Sequence, residues 1–342
     1  MYDYIFITPL PAFYKINLYR EIAKSRKIFV IFIGETTVEK RADDFSGIND
    51  INFEYTFLNK GAFQNRNKIL SLYSLYNTLK TKKYRKIILG GWDLIESWYV
   101  LFTNNFQKNC NALESTVIES KVTGILGLIK KIYLLRLHTV YASGDLHVQL
   151  LKKLHYKHNI KITRGVGIIN KPTQKDRTKE YTKSFLYIGR LDGVKNLNFL
   201  IEIFNLLPNH VLTIVGVGEE KEALLKLASS NIIFLGSIPN KDIHIQFEKH
   251  DFLILPSLSE TWGLVVEEAL YFGLPVIVSK NCGASELIEN FKNGFIIDPY
   301  DVASTIDIIK CIDNNSYKQL LCNIPKESIN IKDLGQVNAY LK

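Results

Sequence analysis

The sequence has few cysteines, one methionine and no long apolar segment. Its 342 residues include four cysteines, at positions 110, 282, 311 and 322, and none of their spacings is that of a paired metal-ligand motif. We therefore expect reduced thiols in a cytoplasmic protein. No apolar run approaches the roughly 18 residues that a membrane-spanning helix needs. No basic segment precedes the first predicted strand, so we expect no signal peptide.

Composition is that of a globular chain large enough for two cores. Hydrophobic residues make up 46% and charged residues 23% of the sequence, which excludes a disordered protein. The charge is unevenly distributed, because residues 1–170 carry 25 Lys and Arg against 13 Asp and Glu, a net charge of +12. This basic half predicts an anionic partner. Nucleic acid, an anionic membrane face and a phosphorylated lipid acceptor all remain open.

Short β-branched and aromatic runs alternate with helical patterns, which is typical of parallel α/β architecture. We predict two Rossmann-like domains: residues 1–170, a polar linker at 171–182, a second domain at 183–327, and a C-terminal helix at 328–342 that packs back toward the first domain. The predicted strands of the first domain are 4–8, 28–33, 52–56, 86–89, 111–114 and 139–142. Those of the second are 184–188, 211–215, 232–235, 252–255, 276–278 and 294–297.

Residues 257–278 form the most informative segment. A predicted strand ends before Pro256, a loop carries Glu260, and a helix begins near Gly263 and carries Glu268. The free N–H groups of such a helix start favour an anion or a hydroxyl-rich ligand. The carboxylates on either side of them suit a sugar attached to a diphosphate.

Two further patterns follow strands of the second domain. Gly189-Arg190 follows a predicted strand, and Lys195 comes five residues after the arginine. A guanidinium and an ammonium at the end of a strand can together bind two phosphates. Gly216 and Gly218 end the next predicted strand, where small residues permit close approach to a nucleotide. Lys221 stands where a dinucleotide fingerprint needs its third glycine, so hydride transfer is disfavoured.

Together these motifs resemble the donor-sugar signature of retaining GT-B glycosyltransferases, specifically glycosyltransferase family 4. The resemblance implies two Rossmann-like domains that face each other across a cleft. It also implies a catalytic set with Glu260 on the sugar and Arg190 and Lys195 on the leaving diphosphate. Backbone groups near Gly263 would cradle the sugar, and Glu268 would contact the ribose. The predicted donor-binding residues are Gly189, Gly216, Gly218, Ile238, Trp262, Gly263, Leu264, Val265 and Glu268.

The first half matches the family less well. Family members often carry a glycine-rich loop after the first strand, whereas this chain has two prolines followed by Phe13, Tyr14 and Lys15. We predict these three on the acceptor side, with a helix cap and core aromatics as the alternative. Glu114 stands where the family often has histidine, so we predict a catalytic carboxylate there, with a simple helix cap as the alternative.

The resemblance further implies transfer without a metal or other cofactor. No Asp-x-Asp, the metal clamp of GT-A enzymes, occurs in the sequence, and the seven histidines show no ligand spacing. His155 and His158 are expected on a solvated basic helix. The predicted partners are a nucleotide-sugar donor, with UDP favoured, a lipid-linked or oligosaccharide acceptor, and an anionic membrane touched by residues 121–136. For residues 121–136, a core-facing helix with a solvated edge stays open.

Two other classes of protein remain as alternatives. A GT-B epimerase or phosphorylase shares the architecture, although it would not need Glu260 and Glu268 together with Arg190 and Lys195. A nucleic-acid-binding protein would account for the basic half only, and no nucleic-acid motif is recognised in the sequence.

Overall fold

The computed structural model describes residues 1–39, 45–48, 51–173, 180–325 and 327–342. These residues divide into two compact units, one of Met1–Asn170 with Asp333–Lys342 and one of Lys171–Lys332. The division falls within the last helix, a few residues after the predicted boundary at 327. Residues 174–179 of the predicted linker lie outside the described part of the chain.

The first unit contains a parallel sheet of seven strands in the order β3-β2-β1-β4-β5-β6-β7. β1 pairs with β2 on one side and β4 on the other, so Ile5 lies between Phe29 and Ile87 in the middle of the core. The strands are β1 (Tyr2–Thr8), β2 (Ile28–Phe32), β3 (Glu54–Phe57), β4 (Tyr84–Leu89), β5 (Asn109–Leu113), β6 (Thr139–Ala142) and β7 (Asn159–Ile162).

Five α-helices connect these strands, and each presents apolar residues to a face of the sheet. They are α1 (Phe13–Ala23), α2 (Lys68–Lys80), α3 (Ile95–Thr103), α4 (Gly124–Leu135) and α5 (Asp145–Lys153). The end of the chain also belongs to this unit, because Tyr340 stacks on Tyr141 with ring centroids 4.3 Å apart and its carbonyl accepts a hydrogen bond from Tyr4.

The second unit contains a six-stranded parallel sheet in the order β10-β9-β8-β11-β12-β13. The strands are β8 (Ser184–Ile188), β9 (Val211–Val215), β10 (Ile232–Gly236), β11 (Phe252–Leu255), β12 (Val276–Ser279) and β13 (Gly294–Ile297). The helices are α6 (Leu197–Asn205), α7 (Lys221–Leu227), α8 (His244–Lys249), α9 (Leu264–Tyr271), α10 (Val302–Cys311) and α11 (Asn314–Cys322), followed by α12 (Ser328–Leu341), which the division between units crosses.

The predicted class of two Rossmann-like parallel-sheet units is confirmed, and most strands differ from their predicted ends by at most two residues. One strand was missed and one prediction is wrong. Strand β7 was not predicted, because Asn-Ile-Lys-Ile is a four-residue edge strand whose residues are half-buried or exposed. His155 and His158 do not lie on a helix. They follow the end of α5, where His155 adopts a left-handed backbone with φ of 59°.

Candidate functional site

In the second unit, two chemically active side chains meet where the strand order reverses. β8 pairs directly with β11, so the loops that leave their carboxyl ends are neighbours. In an open parallel sheet this switch point is the usual place for a ligand. Lys195 comes from the loop after β8 and Glu260 from the loop after β11, and they form an ion pair. Their side chains are 13% and 18% exposed, so the pair is shielded but reachable.

The loop that carries Lys195 is fixed from both sides. Residues Gly193–Lys195 form one 3-10 turn, which ends at Asn196 in the left-handed conformation with φ of 59°. The Asn196 side-chain amide donates to the carbonyl oxygens of Pro256, at 3.3 Å, and Pro299, at 2.8 Å. These hydrogen bonds tie the loop after β8 to the loops after β11 and β13. Sequence reasoning assigned Asn196 no role, because its partners are distant in the chain.

Arg190 lies on the same loop but does not join the Lys195–Glu260 pair. Its Nη1 is 3.0 Å from Asp192 Oδ2, and its side chain is half exposed. Tyr187 donates a hydrogen bond to the Arg190 carbonyl at 2.8 Å, which holds the backbone while the guanidinium stays near the surface. A guanidinium has five N–H donors, so an anion can bind alongside Asp192 or displace it.

Three of the four glycines of the donor prediction lie where the loops after β8 and β9 pack against each other. A Cβ on Gly216, whose φ is 144°, would lie 1.8 Å from the Gly189 carbonyl oxygen, and one on Gly218 would lie 2.2 Å from that of Leu191. The Gly189 N–H donates to the Val215 carbonyl at 3.0 Å. These glycines are therefore required for the two loops to pack against each other, a reason that sequence reasoning did not give.

The loop from Glu260 to Trp262 is braced by a second loop that follows β12. The N–H of Gly283 donates to the Glu260 carbonyl at 2.9 Å, and that of Ala284 donates to the Trp262 carbonyl at 2.7 Å. A Cβ on Gly283 would lie 2.2 Å from the Thr261 carbonyl oxygen. The role of the Gly283 loop is thus to fix the Glu260 loop in place.

Helix α9 begins beside Glu260, as the sequence predicted. Gly263 precedes it with φ of 94°, a conformation that favours glycine, and a Cβ there would lie 3.3 Å from Glu260 Cγ. Leu264 and Val265 form the first turn and are half-buried. The backbone N–H groups of a first turn have no partner within the helix, so this turn offers donors next to a carboxylate.

Two adjacent glutamates of α9 have different environments. Glu267 is fully buried, accepts a hydrogen bond from Trp262 Nε1 at 2.5 Å, and is paired with Lys332 at 2.7 Å. Trp262 was predicted to bind the donor, but its ring is in the core and the residue is 1% exposed. Glu268 is half-buried, and burial together with the Glu267 charge raises its pKa to about 8. At neutral pH Glu268 is therefore a hydrogen-bond donor as well as an acceptor.

Ile238, the last of the predicted donor residues, follows β10 and is half-buried. Strand β10 lies two strands from β8, with β9 between them. The Gly216 N–H donates to the Gly236 carbonyl at 2.8 Å, so the chain leading to Ile238 is fixed against the Gly216 loop. Ile238 thus lies at the same sheet edge as the glycine loops.

In the first unit, Lys15 and Glu114 form a second ion pair. Lys15 Nζ lies 2.5 Å from Glu114 Oε1 and 3.2 Å from Thr8 Oγ1. Burial alone lowers the pKa of an ammonium, but the adjacent Glu114 carboxylate raises the pKa of Lys15 above its ordinary value. Both residues line a cavity of about 20 Å³ with Gly90 and Tyr340, at the carboxyl ends of the strands. Such a cavity has space for about one water molecule.

Phe13 and Tyr14 begin α1 and are both half-buried. Their rings meet edge to face with centroids 5.6 Å apart. The Tyr14 carbonyl accepts from the Ile168 N–H at 2.9 Å, and a Cβ on Gly167 would lie 2.5 Å from the Tyr14 ring. Tyr14 therefore packs tightly against the end of the first unit, while Lys15 is the member of this trio that reaches the cavity.

His147 is a buried titratable residue that the sequence analysis did not single out. It lies on the first turn of α5 and is fully buried. Burial lowers its pKa to about 4, and the backbone of Glu114 is next to it. The sequence gave no signal, because His147 has neither ligand spacing nor a charged neighbour in the chain.

Residues 170–322 match the family model described as glycosyl transferases group 1. This match covers most of the second unit. An uncharacterized glycosyltransferase of Haemophilus influenzae is 31% identical over 176 residues, 48% of this chain and 50% of that protein. O-antigen chain mannosyltransferase B of Escherichia coli is 28% identical over 147 residues, 40% of this chain and 38% of that protein. The matches thus span half or less of each relative's length.

The fold of the whole chain is also that of solved structures. HepE from Anabaena, solved in complex with UDP and glucose, superposes with a TM-score of 0.73 over 100% of this chain and 98% of that chain, at 14% sequence identity. At this identity the likeness concerns the fold alone. The prediction of an enzyme of the sugar-transferring class is confirmed at the level of the group 1 domain.

Proposed function

We propose that the chain is a retaining, metal-independent glycosyltransferase of family 4. It moves a hexose from a nucleotide-diphosphate sugar, with UDP as the favoured nucleotide, to a hydroxyl of a lipid-linked or surface-polysaccharide glycan. The observation that carries this proposal is the Lys195–Glu260 ion pair at the switch point of the group 1 domain, next to Arg190 and the first turn of α9. The relative described as an O-antigen chain mannosyltransferase supports a glycan acceptor.

The residues of this site suit the chemistry of the donor. Glu260 accepts hydrogen bonds from sugar hydroxyls, and the N–H groups near Gly263 cradle the sugar. The acceptor oxygen bonds to the anomeric carbon on the face from which the diphosphate departs, and the broken bond leaves its electron pair on the β-phosphate oxygen. That phosphate takes the proton of the acceptor hydroxyl. Lys195 and Arg190 stabilise the charge that develops on the diphosphate. Glu260 holds Lys195 at the switch point, where this proposal places the phosphates.

Glu268 and Glu114 have supporting roles in this proposal. With its raised pKa, Glu268 can donate one hydrogen bond and accept another, which suits a ribose diol. Glu114, held by Lys15, presents a carboxylate that is 37% exposed to an incoming acceptor. Phe13 and Tyr14 supply aromatic surface near the same helix start.

We further propose a cytoplasmic protein that binds the inner face of an anionic membrane through α4. Six large apolar residues of this helix are 39–78% exposed, namely Ile125, Leu126, Leu128, Ile129, Ile132 and Leu135. Most of them share one face at helical spacing, with Lys130 and Lys131 beside it, an arrangement that suits an interfacial helix. In the described ranges no helix is long and apolar enough to cross a bilayer.

The first experiment is a panel of UDP-, GDP- and ADP-sugars, assayed for thermal stabilisation and sugar release with chelator present. We expect one nucleotide sugar to stabilise the protein and to be slowly hydrolysed. Lys195→Met should reduce turnover about 100–1,000-fold, the usual effect of removing one group that stabilises transition-state charge. The matched control is Lys292→Met, which breaks an exposed ion pair with Glu289. Equal turnover by the two variants would refute the role of Lys195.

A further inference from the structure

A pocket of the first unit lies at the C-terminal end of α4, and its lining includes neither Lys15 nor Glu114. It has a volume of about 350 Å³ and is formed between α4 and the segment that joins α5 to β7. A volume of this order is within the range of small-molecule sites. The residues that line the pocket are Lys131, Leu134, Leu135, Leu154, His155, Tyr156, Lys157 and His158.

The lining separates an apolar interior from a basic rim. Leu134 and Leu154 are buried and form the floor, whereas Leu135 is 68% exposed and continues the apolar face of α4. The polar rim consists of two lysines, two histidines and Tyr156, and no carboxylate is among the lining residues. The pocket therefore suits a ligand that is anionic at one end and apolar at the other.

The segment that closes the pocket has a defined geometry. The Tyr156 N–H donates to the Leu151 carbonyl at 3.0 Å, and its hydroxyl donates to the Leu137 carbonyl at 3.2 Å. His158 packs edge to face on Phe106, with ring centroids 5.1 Å apart. These contacts fix the basic rim relative to α4, so the pocket exists before any ligand binds.

We propose that this pocket binds the phosphate-bearing headgroup of an anionic phospholipid, whose acyl chains then lie along the exposed face of α4. This inference deepens the membrane contact proposed above and rests on it. Leu135 belongs both to the pocket and to the exposed face, so one amphiphile can occupy both. A soluble phosphate would use the lysines but not the exposed apolar face of α4 that Leu135 continues, which is why we assign the site to a lipid.

The test is vesicle co-sedimentation with phosphatidylcholine alone and with phosphatidylcholine that contains phosphatidylglycerol. Lys131→Gln with Lys157→Gln removes two positive charges from the pocket. Lys152→Gln with Lys153→Gln removes two from the neighbouring helix α5, outside the pocket. At about 0.3 M salt, where exposed charges are largely screened, we expect the pocket pair to lose about tenfold in partitioning and the control pair to keep the wild-type value. Thermal midpoints of both variants verify folding.

Each alternative outcome contradicts a different part of the proposal. If both pairs partition alike, the pocket is not a headgroup site, although the membrane contact of α4 stands. If glycerol phosphate displaces the protein from vesicles at concentrations similar to those of a short-chain phosphatidylglycerol, the site recognises phosphate alone and the lipid assignment is wrong. If the wild-type protein binds neither vesicle, membrane contact and headgroup site both fail. The sugar-transfer proposal is judged separately, by the nucleotide-sugar panel on the wild-type protein without vesicles.

Discussion

Lys15 and Glu114 face each other at 2.5 Å, one from helix α1 and the other from the end of strand β5. Only 10% of the Lys15 side chain is exposed, against 37% of Glu114. The ammonium is therefore the member of the pair that depends on its partner, because it has little access to water. Thr8, its other oxygen contact, is neutral and cannot replace the carboxylate.

Removing the carboxylate should destabilise the chain. We expect Glu114→Gln to lower the free energy of unfolding by about 1–3 kcal/mol, less than a fully buried pair would lose because Glu114 is partly solvated. Adding Lys15→Met should recover most of that loss, since no buried charge is then left unpaired. Urea denaturation of the two single variants and the double variant gives the coupling energy.

The control for this cycle is Glu289→Gln. It breaks the pair with Lys292, in which both side chains are 67% exposed. An exposed pair contributes about 0–1 kcal/mol, so little change is expected. A loss for Glu114→Gln no larger than that of the control would show that Lys15 does not need its partner.

Glu268 should make the stability of the chain fall as the pH rises. Its pKa in the folded chain is about 8, against an ordinary value of 4.5, so between these pH values the folded state retains a proton that the unfolded state has released. The stabilisation is complete below about pH 4.5 and is lost as the pH rises through 8. Glu268→Gln removes this titration.

Thermal midpoints of the wild type and Glu268→Gln, compared between pH 5 and pH 9, check this prediction. Between these two pH values the thermal midpoint of the wild type should fall by roughly 2–4 °C more than that of the variant for each kcal/mol of stability that depends on the Glu268 proton. Glu202→Gln, at an exposed position of α6, is the matched control and should follow the wild type. Parallel curves for the wild type and Glu268→Gln would mean that Glu268 is ionised at neutral pH.

The sequence predicted the elements of the second unit better than the contacts of its side chains. Short apolar strands such as β9 and β13 were predicted to the residue, because burial on both faces gives a nearly continuous apolar run. Glu260, Lys195 and Gly263 were correctly placed on loops that the strand order brings together. The family model also matches this half of the chain, which contains the recognisable motifs.

What the sequence did not predict depends on distant residues. Glu267 is a helical carboxylate that contacts Lys332 and Trp262 inside the core, and Lys332 belongs to the last helix of the chain. Trp262 was predicted among the donor-binding residues, and nothing in the sequence indicated that it is buried. Periodicity reveals which face of a helix is apolar, but not which polar residue finds a partner inside the core.

His147 should make the chain sensitive to acid. Its folded pKa of about 4 is below the ordinary value of 6.5, because burial disfavours the charged imidazolium. The stabilisation is present above pH 6.5 and is lost as the pH falls through 4. Replacing it with leucine, which cannot titrate, should flatten the loss of stability in this window. An NMR titration of the imidazole protons measures the pKa directly, and a value near 6.5 would contradict the burial argument.

Gly216 should tolerate no side chain, because the backbone of the neighbouring loop occupies the space. A Cβ there would lie 1.8 Å from the Gly189 carbonyl oxygen, and φ is 144°. We expect Gly216→Ala to cost about 2–5 kcal/mol of unfolding free energy, from backbone strain and overpacking together. Gly273→Ala is the matched control, since φ is 67° and no atom lies within 4 Å of its Cβ position. It should cost only about 1–2 kcal/mol, the penalty of the left-handed conformation itself. Equal losses in urea denaturation would mean that the Gly189 loop moves aside, and the two loops would then not be held by their glycines.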